Sequence, residues 1–525
     1  MRLNLILSLT GTILAFFGFN FLLPIIAGFW FEEKSMDIFW MFGVPMLISL
    51  SLGVFLHYYF HSNEDIRNRE AFVLVTIVWI IMVFVGAIPF ISSERLALMS
   101  YEIGVAGAIF ESMSGLSTTG ATVLDLESSN PVNVQQYNEG YFDAPKSLLL
   151  WRSQIQWLGG MGIIVLATII FSRLFGGGIQ VLQAEMPGTG ITRLRPQMAQ
   201  TARLLWSLYF VMTVVEILLL SVLSEMPFYD AICNSFSTVS TGGFSPQRDS
   251  IGSYDSPFVM GVITFFMLIS GINFVILYYV FNNLIDFSKG FTERIINSFK
   301  TLKGNEEFIF YIYLLLFSFS LIFVNLLVDT DNFSSNFSKF SHASFQTVSL
   351  LTGTGFTTTN YMEWPQMSIF VLLLFMFAGG CAGSTTGGLK IVRIMLLFKA
   401  LKRELILVIH PRAVIKLRIG DKVLDEDLFR NVGVFFFIFV ILFLMGSLIT
   451  LYLEGNNPNV GVIDGISISL SCLANIGPGI GVIGPTETYG ALSDPTLLFL
   501  SALMMLGRLE IITVLLLFYP DTYRD

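Results

Sequence analysis

Four short polar stretches interrupt an otherwise apolar chain, each placing glycine among hydroxyl or amide side chains. They are L-S-T-T-G-A-T ending at Thr122, V-S-T-G-G-F ending at Phe244, T-G-T-G-F-T ending at Thr357 and A-N-I-G-P-G ending at Gly479. These residue types suit one chemistry in particular. A cation leaving water must exchange its hydration shell for other oxygen ligands, and backbone carbonyls aimed at a common axis can supply them. Glycine is wanted because that aim needs dihedrals costly for residues with a Cβ. The candidate carbonyl donors are Thr118, Thr119 and Gly120; Thr241, Gly242 and Gly243; Gly353, Thr354 and Gly355; and Asn475, Ile476 and Gly477. Any one loop could instead be a small-residue packing spot between helices. Four in register argue against that: Gly120, Gly243, Gly355 and Gly477 are separated by 123, 112 and 122 residues, the mark of an internal repeat. Because Gly242 and Gly243 are adjacent, the register of the second loop stays open by one position.

The elements that must position these loops follow from composition. The chain has 525 residues, 54% of them hydrophobic and only 13% charged, with mean hydropathy +0.72, which is an integral membrane protein. Stretches of about 20 apolar residues, the span of a bilayer, fall at 3–31, 38–60, 72–91, 148–171, 204–223, 258–284, 308–328, 369–398, 432–453 and 496–518, predicting about ten crossings. Shorter semi-polar stretches at 104–117, 229–239, 341–350 and 464–473 each precede one glycine loop and read as re-entrant half-helices. Non-helical backbone at membrane depth survives only where protein buries it or water reaches it. The expected fold is an all-α polytopic membrane protein with four pseudo-repeats of helix, re-entrant half-helix, loop and helix around a central pore. An N-terminal helix pair (1–62) precedes the repeats, which occupy 71–178, 199–290, 305–403 and 428–525.

Orientation follows from Lys and Arg. With the N-terminus in the cytoplasm, the inner connections collect 22 basic residues, among them Arg67, Arg193, Arg195, Lys300, Lys402 and Arg412, against five outside: Lys34, Arg95, Lys146, Arg248 and Lys339. All four loops then face outward, as do acids such as Asp125, Glu127, Glu139, Asp249 and Glu487, which either concentrate cations or merely solvate the loops. No cleavable signal is expected, the first apolar run being too long. Cys233, Cys381 and Cys472 stand singly and give no disulfide or metal pattern, and His57 and His61 read as an interfacial pair. Nothing points to nucleic acid, to a cofactor or to an enzyme.

The four loops, with G-G-C-A-G-S-T-T-G-G-L-K (379–390) and G-R-L-E (507–510), closely resemble the Trk/Ktr/HKT superfamily of potassium transporters over essentially the whole chain, in its TrkH-type branch. The resemblance implies four units around a degenerate potassium filter with one glycine per repeat, here Gly120, Gly243, Gly355 and Gly477. It also implies a plasma-membrane homodimer docked on a cytosolic TrkA-type nucleotide-binding ring, so that nucleotide binds the partner while this chain handles potassium as substrate. The basic stretch 399–422 is the expected docking region, although its charges also serve topology. Only the second and third loops keep a G-F pair, which predicts fewer well-defined ion sites and looser potassium-over-sodium discrimination than in a symmetric potassium channel.

The eighth crossing holds Gly379, Gly380, Gly383, Ser384, Thr385, Thr386, Gly387 and Gly388 in mid-segment. Each glycine costs a helix about 1 kcal/mol relative to alanine, so the helix should break into a hydroxyl-rich loop. A phosphate cradle is excluded, because Gly388 is followed by Leu389 where that motif needs lysine. Arg508 lies inside the last crossing, where a charge costs roughly 2.5–3.5 kcal/mol. Through the resemblance, the loop obstructs permeation and Arg508 stands beside it as a barrier to cations; the alternative is an arginine snorkelling or paired with Glu510 or Glu216. A secondary carrier with broken helices and a proton-coupled, sodium-coupled or Ktr-like sodium-dependent transporter are the rival functions. The repeat of two crossings plus a half-helix does not suit the first, and the sequence leaves coupling open.

Overall fold

The computed structural model describes residues 2–61, 68–99, 101–124, 140–174, 198–329, 333, 335–413, 415–420, 422–423 and 426–520. Arg67, Asp125, Glu127, Glu139, Arg193 and Arg195 lie outside the described residues. Helices α1 (Leu3–Phe19) and α2 (Leu22–Trp30) form the first apolar stretch; α3 (Ser35–Ile38), a π-turn and α4 (Val44–Tyr59) form the second. α1 and α4 approach backbone to backbone. A Cβ on Gly53 would lie 2.7 Å from the nitrogen of Ala15, so glycine sets that close contact.

The first repeat runs through α5 (Asn68–Arg95), the half-helix α6 (Gly104–Leu116) and α7 (Lys146–Leu174). In the second, α8 (Met198–Leu223) leads to the half-helix α9 (Phe228–Val239), then α10 (Pro257–Ser270) and α11 (Phe274–Ile285). After the connecting α12 (Phe291–Lys303), the third comprises α13 (Glu306–Asp329), the half-helix α14 (Asn336–Leu351), α15 (Gln366–Phe375) and α16 (Ile391–Ile409). A two-residue hairpin, β1 (Arg418–Ile419) with β2 (Lys422–Val423), precedes the fourth: α17 (Glu426–Leu453), the half-helix α18 (Val462–Ala474), α19 (Asp494–Arg508) and α20 (Ile511–Leu515). With 12 to 16 residues, the half-helices reach only about 18–24 Å, short of a bilayer's hydrocarbon thickness.

Six described helical segments are long and apolar enough to cross a membrane, or seven counting α10 and α11 as one bent by 114°. Of the other expected crossings, the fourth is one continuous helix, α7, of 29 residues, while the eighth and tenth are interrupted for local reasons. The eighth breaks between α15 and α16, as its glycines predict. Two departures from expectation are informative. The sixth crossing also breaks, at Gly271–Asn273, where the Asn273 side chain accepts from the N–H of Val275 at 2.8 Å and starts a new helix. Arg508 ends a helix instead of occupying its middle, because Glu510 takes a left-handed φ of +60° and interrupts the turn. There the unpaired carbonyls of the helix end favour a cation. The third half-helix starts at Asn336, not 341, since Ser335 caps it by accepting from the N–H of Ser338 at 3.1 Å.

Candidate functional site: a four-strand ring and the loop beneath it

Each half-helix delivers its chain into a three-residue strand of the same conformation. Gly120, Gly243, Gly355 and Gly477 have φ of +81°, +77°, +84° and +99°. Two residues earlier, Thr118, Thr241, Gly353 and Asn475 are left-handed too, at +53°, +54°, +68° and +55°. This match fixes the second loop's register: Gly243 is the equivalent glycine, and Gly242 occupies the middle position with Thr119, Thr354 and Ile476.

The four strands close on one another. A Cβ on Gly120 would overlap the carbonyl oxygen of Gly242, one on Gly243 that of Thr354, one on Gly355 that of Ile476, and one on Gly477 would lie 2.6 Å from the oxygen of Thr119. The contacts run from repeat one to two, three, four and back to one. A side chain at any of these positions would force neighbouring strands apart. All four glycines also line a single open vestibule with Phe244, Thr357, Arg248 and Glu487.

Arg152, which lines that vestibule, belongs to a buried ion pair that sequence reasoning did not single out. Arg152 Nε donates to Glu111 Oε1 at 2.7 Å, with both side chains at most 2% exposed. Glu111 also accepts from the N–H of Val123 at 3.0 Å, and Arg152 Nη1 reaches the carbonyl of Ser245 at 3.3 Å. The guanidinium stacks on Phe244, 4.2 Å from the ring centre. The pair therefore ties the outer arms of the first two loops. An arginine inside an apolar run was the available signal; its partner on a half-helix 41 residues away was not.

On the opposite side of the ring, residues 376–390 form the non-helical loop between α15 and α16. Thr385 is its tip: Thr241 Oγ1 donates to Thr385 Oγ1 at 3.2 Å, which sets the loop directly under the second strand. Gly387 approaches so closely that a Cβ there would lie 2.8 Å from the Cβ of Asn475. Gly379, Gly380, Gly383, Ser384, Thr386 and Gly388 build the loop's body. Gly380 N–H and Ser384 both engage Thr386 Oγ1 at 2.8 Å, while Gly383 and Gly388 are left-handed, at +73° and +68°. The unforeseen break in the sixth crossing docks this loop, since the N–H of Cys381 donates to the carbonyl of Gly271 at 2.8 Å and that of Phe274 to the carbonyl of Gly383 at 3.2 Å.

Charged side chains pin the loop. Arg508 is 3% exposed and donates from Nη1 to the carbonyl of Thr385 at 2.7 Å. Its Nε and Nη2 find no hydrogen-bond partner among the described residues. Neither proposed acid pairs with it: Glu510 binds Arg393 instead, and the buried carboxyl of Glu216 has no hydrogen-bond partner among the described residues. Lys390 Nζ donates to the carbonyl of Thr386 at 2.5 Å, bringing a second cation to the loop. Glu307 Oε1 takes the N–H groups of Ala382 at 2.6 Å and Val392 at 3.1 Å, clasping the middle of the loop to the start of α16. Sequence reading missed Glu307 and gave Lys390 no role. Elsewhere, His57 Nδ1 lies 3.0 Å from Thr12 Oγ1, a contact within the N-terminal pair, and the three cysteines are buried and free.

Comparison with known proteins gives a consistent answer. Residues 43–523 match the TrkH family, described as cation transport protein. The chain is 34% identical over 527 residues to the Trk system potassium uptake protein TrkH of Salmonella typhimurium, covering all of both chains. It is 32% identical to the Trk system potassium uptake protein TrkG of Escherichia coli, covering 100% of this chain and 99% of that one. The crystal structure of the potassium transporter TrkH from Vibrio parahaemolyticus superposes with a TM-score of 0.82 at 31% identity over the full length of both chains. With ring, loop and full-length similarity in agreement, the chain belongs to the TrkH family of cation transport proteins, a family of transporters and not of enzymes.

Proposed function

We propose that this chain is the pore subunit of a potassium uptake system, with the four-strand ring as its selectivity filter and the 376–390 loop as its gate. The observation that carries the reading is the closed cycle of left-handed glycines, each packed on the next strand's carbonyl. Such a ring offers oxygen ligands at fixed radius to a cation arriving from the vestibule. Potassium is the cargo, as the names of the full-length relatives indicate, and no cofactor is required of this chain.

In this mechanism a potassium ion sheds water in the vestibule, is held by carbonyls of the ring, and meets the Thr385 tip and the Arg508 charge beyond it. Conduction requires the loop to move aside. Much of what holds the loop is a set of exchangeable polar bonds, so a free energy from a partner can shift it. The positive-inside bias supports cytoplasmic termini with the ring facing out, and an inner, plasma membrane location is part of the same proposal. A homodimer and a TrkA-type nucleotide-binding ring complete the proposed assembly, with the basic segment 399–422 as the docking face. Lys399 there already engages the carbonyl of Arg418 at 2.7 Å, so part of its charge serves the fold.

The test is potassium flux into proteoliposomes holding the full-length protein, with sodium and pH gradients varied independently. The proposal expects uptake that follows the potassium gradient and membrane potential alone. Uptake that needs an inward sodium or proton gradient would replace the channel reading with coupled transport.

A further inference from the structure

The four strands differ in how free their carbonyls are. The middle carbonyl of the second strand, Gly242 O, accepts from Gln156 Nε2 at 2.6 Å, and the same carboxamide takes the N–H of Phe244 on Oε1 at 3.0 Å. In the fourth strand, Gly477 O accepts from Ser471 Oγ at 2.6 Å and from Tyr489 Oη at 2.7 Å. A carbonyl oxygen has two lone pairs, so both are taken at Gly477 and one at Gly242. The other carbonyls of the two layers, Thr119 O, Thr354 O and Ile476 O beside Gly242, and Gly120 O, Gly243 O and Gly355 O beside Gly477, accept no hydrogen bond among the described residues. Gly242 is the middle residue of its strand and Gly477 the residue after the middle of its own, so each of two successive carbonyl layers has one engaged oxygen. All three donors are buried, at 0% exposure for Gln156 and Ser471 and 2% for Tyr489, and each belongs to the scaffold outside the strands.

We propose that Gln156 and the Ser471–Tyr489 pair are specificity-determining positioning residues, each withholding one carbonyl of its layer from the ion so that two successive layers of the ring each offer three strong ligands instead of four. The proposal rests on the filter reading above. A carbonyl whose electron pairs are held from behind is a weaker ligand, and discrimination depends on the number and field strength of the carbonyls that face the ion. Potassium, the larger ion, gains more than sodium when ligands are added. Releasing the withheld oxygens should therefore sharpen selectivity, more at Gly477 than at Gly242.

The experiment measures reversal potentials of the full-length protein in planar bilayers with potassium on one side and sodium on the other. The Ser471→Ala/Tyr489→Phe double variant should raise the potassium-to-sodium permeability ratio by about three- to tenfold, the range a released hydrogen bond spans. Gln156→Met should give a smaller rise. Tyr489→Phe alone, which deletes one oxygen and keeps the ring, decides the matter should the double variant fail to insert. A ratio that is unchanged or lowered in inserted Tyr489→Phe and double variants overturns the proposal. Gly355→Ser serves as the reference: if it too leaves the ratio unchanged, the filter reading itself fails, whereas a change there with none in the donor variants removes this proposal alone.

Discussion

The ring and the loop beneath it are both non-helical backbone at membrane depth, yet the balance of what holds them differs. The ring is closed by backbone packed against backbone: a missing Cβ on one strand admits the carbonyl of the next, four times over. The loop shares some backbone contact, Cys381 on Gly271 and Phe274 on Gly383, but charged side chains add the rest, with Glu307 on Ala382 and Val392, Lys390 on Thr386 and Arg508 on Thr385. Steric closure has no second arrangement of similar energy, because interiors are packed like crystals. Polar clasps can be exchanged for water or for one another at small net cost. The difference teaches which segment can be the fixed element and which the moving one.

The comparison breaks most sharply at Gly355. A serine there would have to hold φ near +84°, costing about 1–2 kcal/mol, and its Cβ would overlap the backbone oxygen of Ile476, which cannot swing away as a side chain could. Gly355→Ser, and Gly120→Ser for the same reason against Gly242, should lower the potassium-to-sodium permeability ratio by about tenfold or more in protein that still inserts. An unchanged ratio would mean that the ring is a packing device.

Next in size is the charge at the loop. A cation within about 6–8 Å of the Arg508 guanidinium, at an effective dielectric near 20, meets roughly 2–3 kcal/mol of repulsion, worth about one to two decades in rate. Arg508→Gln and Arg508→Ala should raise potassium flux by that order, while Arg508→Lys keeps most of the barrier. Lys390 remains in each variant, so the barrier should fall without vanishing. Equal flux in all three would assign the effect to packing. Shortening 379–388 should likewise make flux constitutive and independent of a cytosolic partner; uptake still at the unmodified level would leave the loop a structural element.

How much of this was legible depends on whether the cause is local in sequence. The glycine spacing announced the ring, and five glycines between residues 379 and 388 announced the broken helix, because both are effects of missing Cβ atoms on their own backbone. The register at Gly242 and Gly243 was not legible: adjacent glycines are alike until the left-handed turn at Thr241 distinguishes them. The break at Gly271–Asn273 carried a weak signal, a glycine two residues before a capping asparagine, hidden within a hydrophobic run. The partners of Glu111, Glu307 and Gln156 lie 41, 75 and 86 residues away, so only the fold could supply them. Arg508 was noticed for its cost; its real partner, a carbonyl, leaves no mark in sequence.

A smaller effect separates clasp from barrier. Glu307→Gln keeps an oxygen in reach of Ala382 and Val392 but removes the charge that strengthens both hydrogen bonds. Basal flux should rise about two- to tenfold, the range of one weakened hydrogen bond, with the permeability ratio unchanged because the ring is untouched. A changed ratio with unchanged flux would place Glu307 in the filter's support instead of the loop's.

The smallest effect is the most discriminating. Gly353 is left-handed at +68°, as its three equivalents are, but those equivalents are Thr118, Thr241 and Asn475. A Cβ at Gly353 would meet its nearest neighbour, the carbonyl oxygen of Asn475, at 3.3 Å, a contact relieved by a few tenths of an ångström. Asparagine tolerates left-handed dihedrals better than other residues with a Cβ. Gly353→Asn should therefore cost under about 1 kcal/mol of stability and leave the permeability ratio within about twofold of the unmodified protein, although it lies two residues from a position where serine is damaging. If Gly353→Asn impairs selectivity as severely as Gly355→Ser, the ring depends on glycine as such, and the steric closure of strand on strand is not what distinguishes it from the loop.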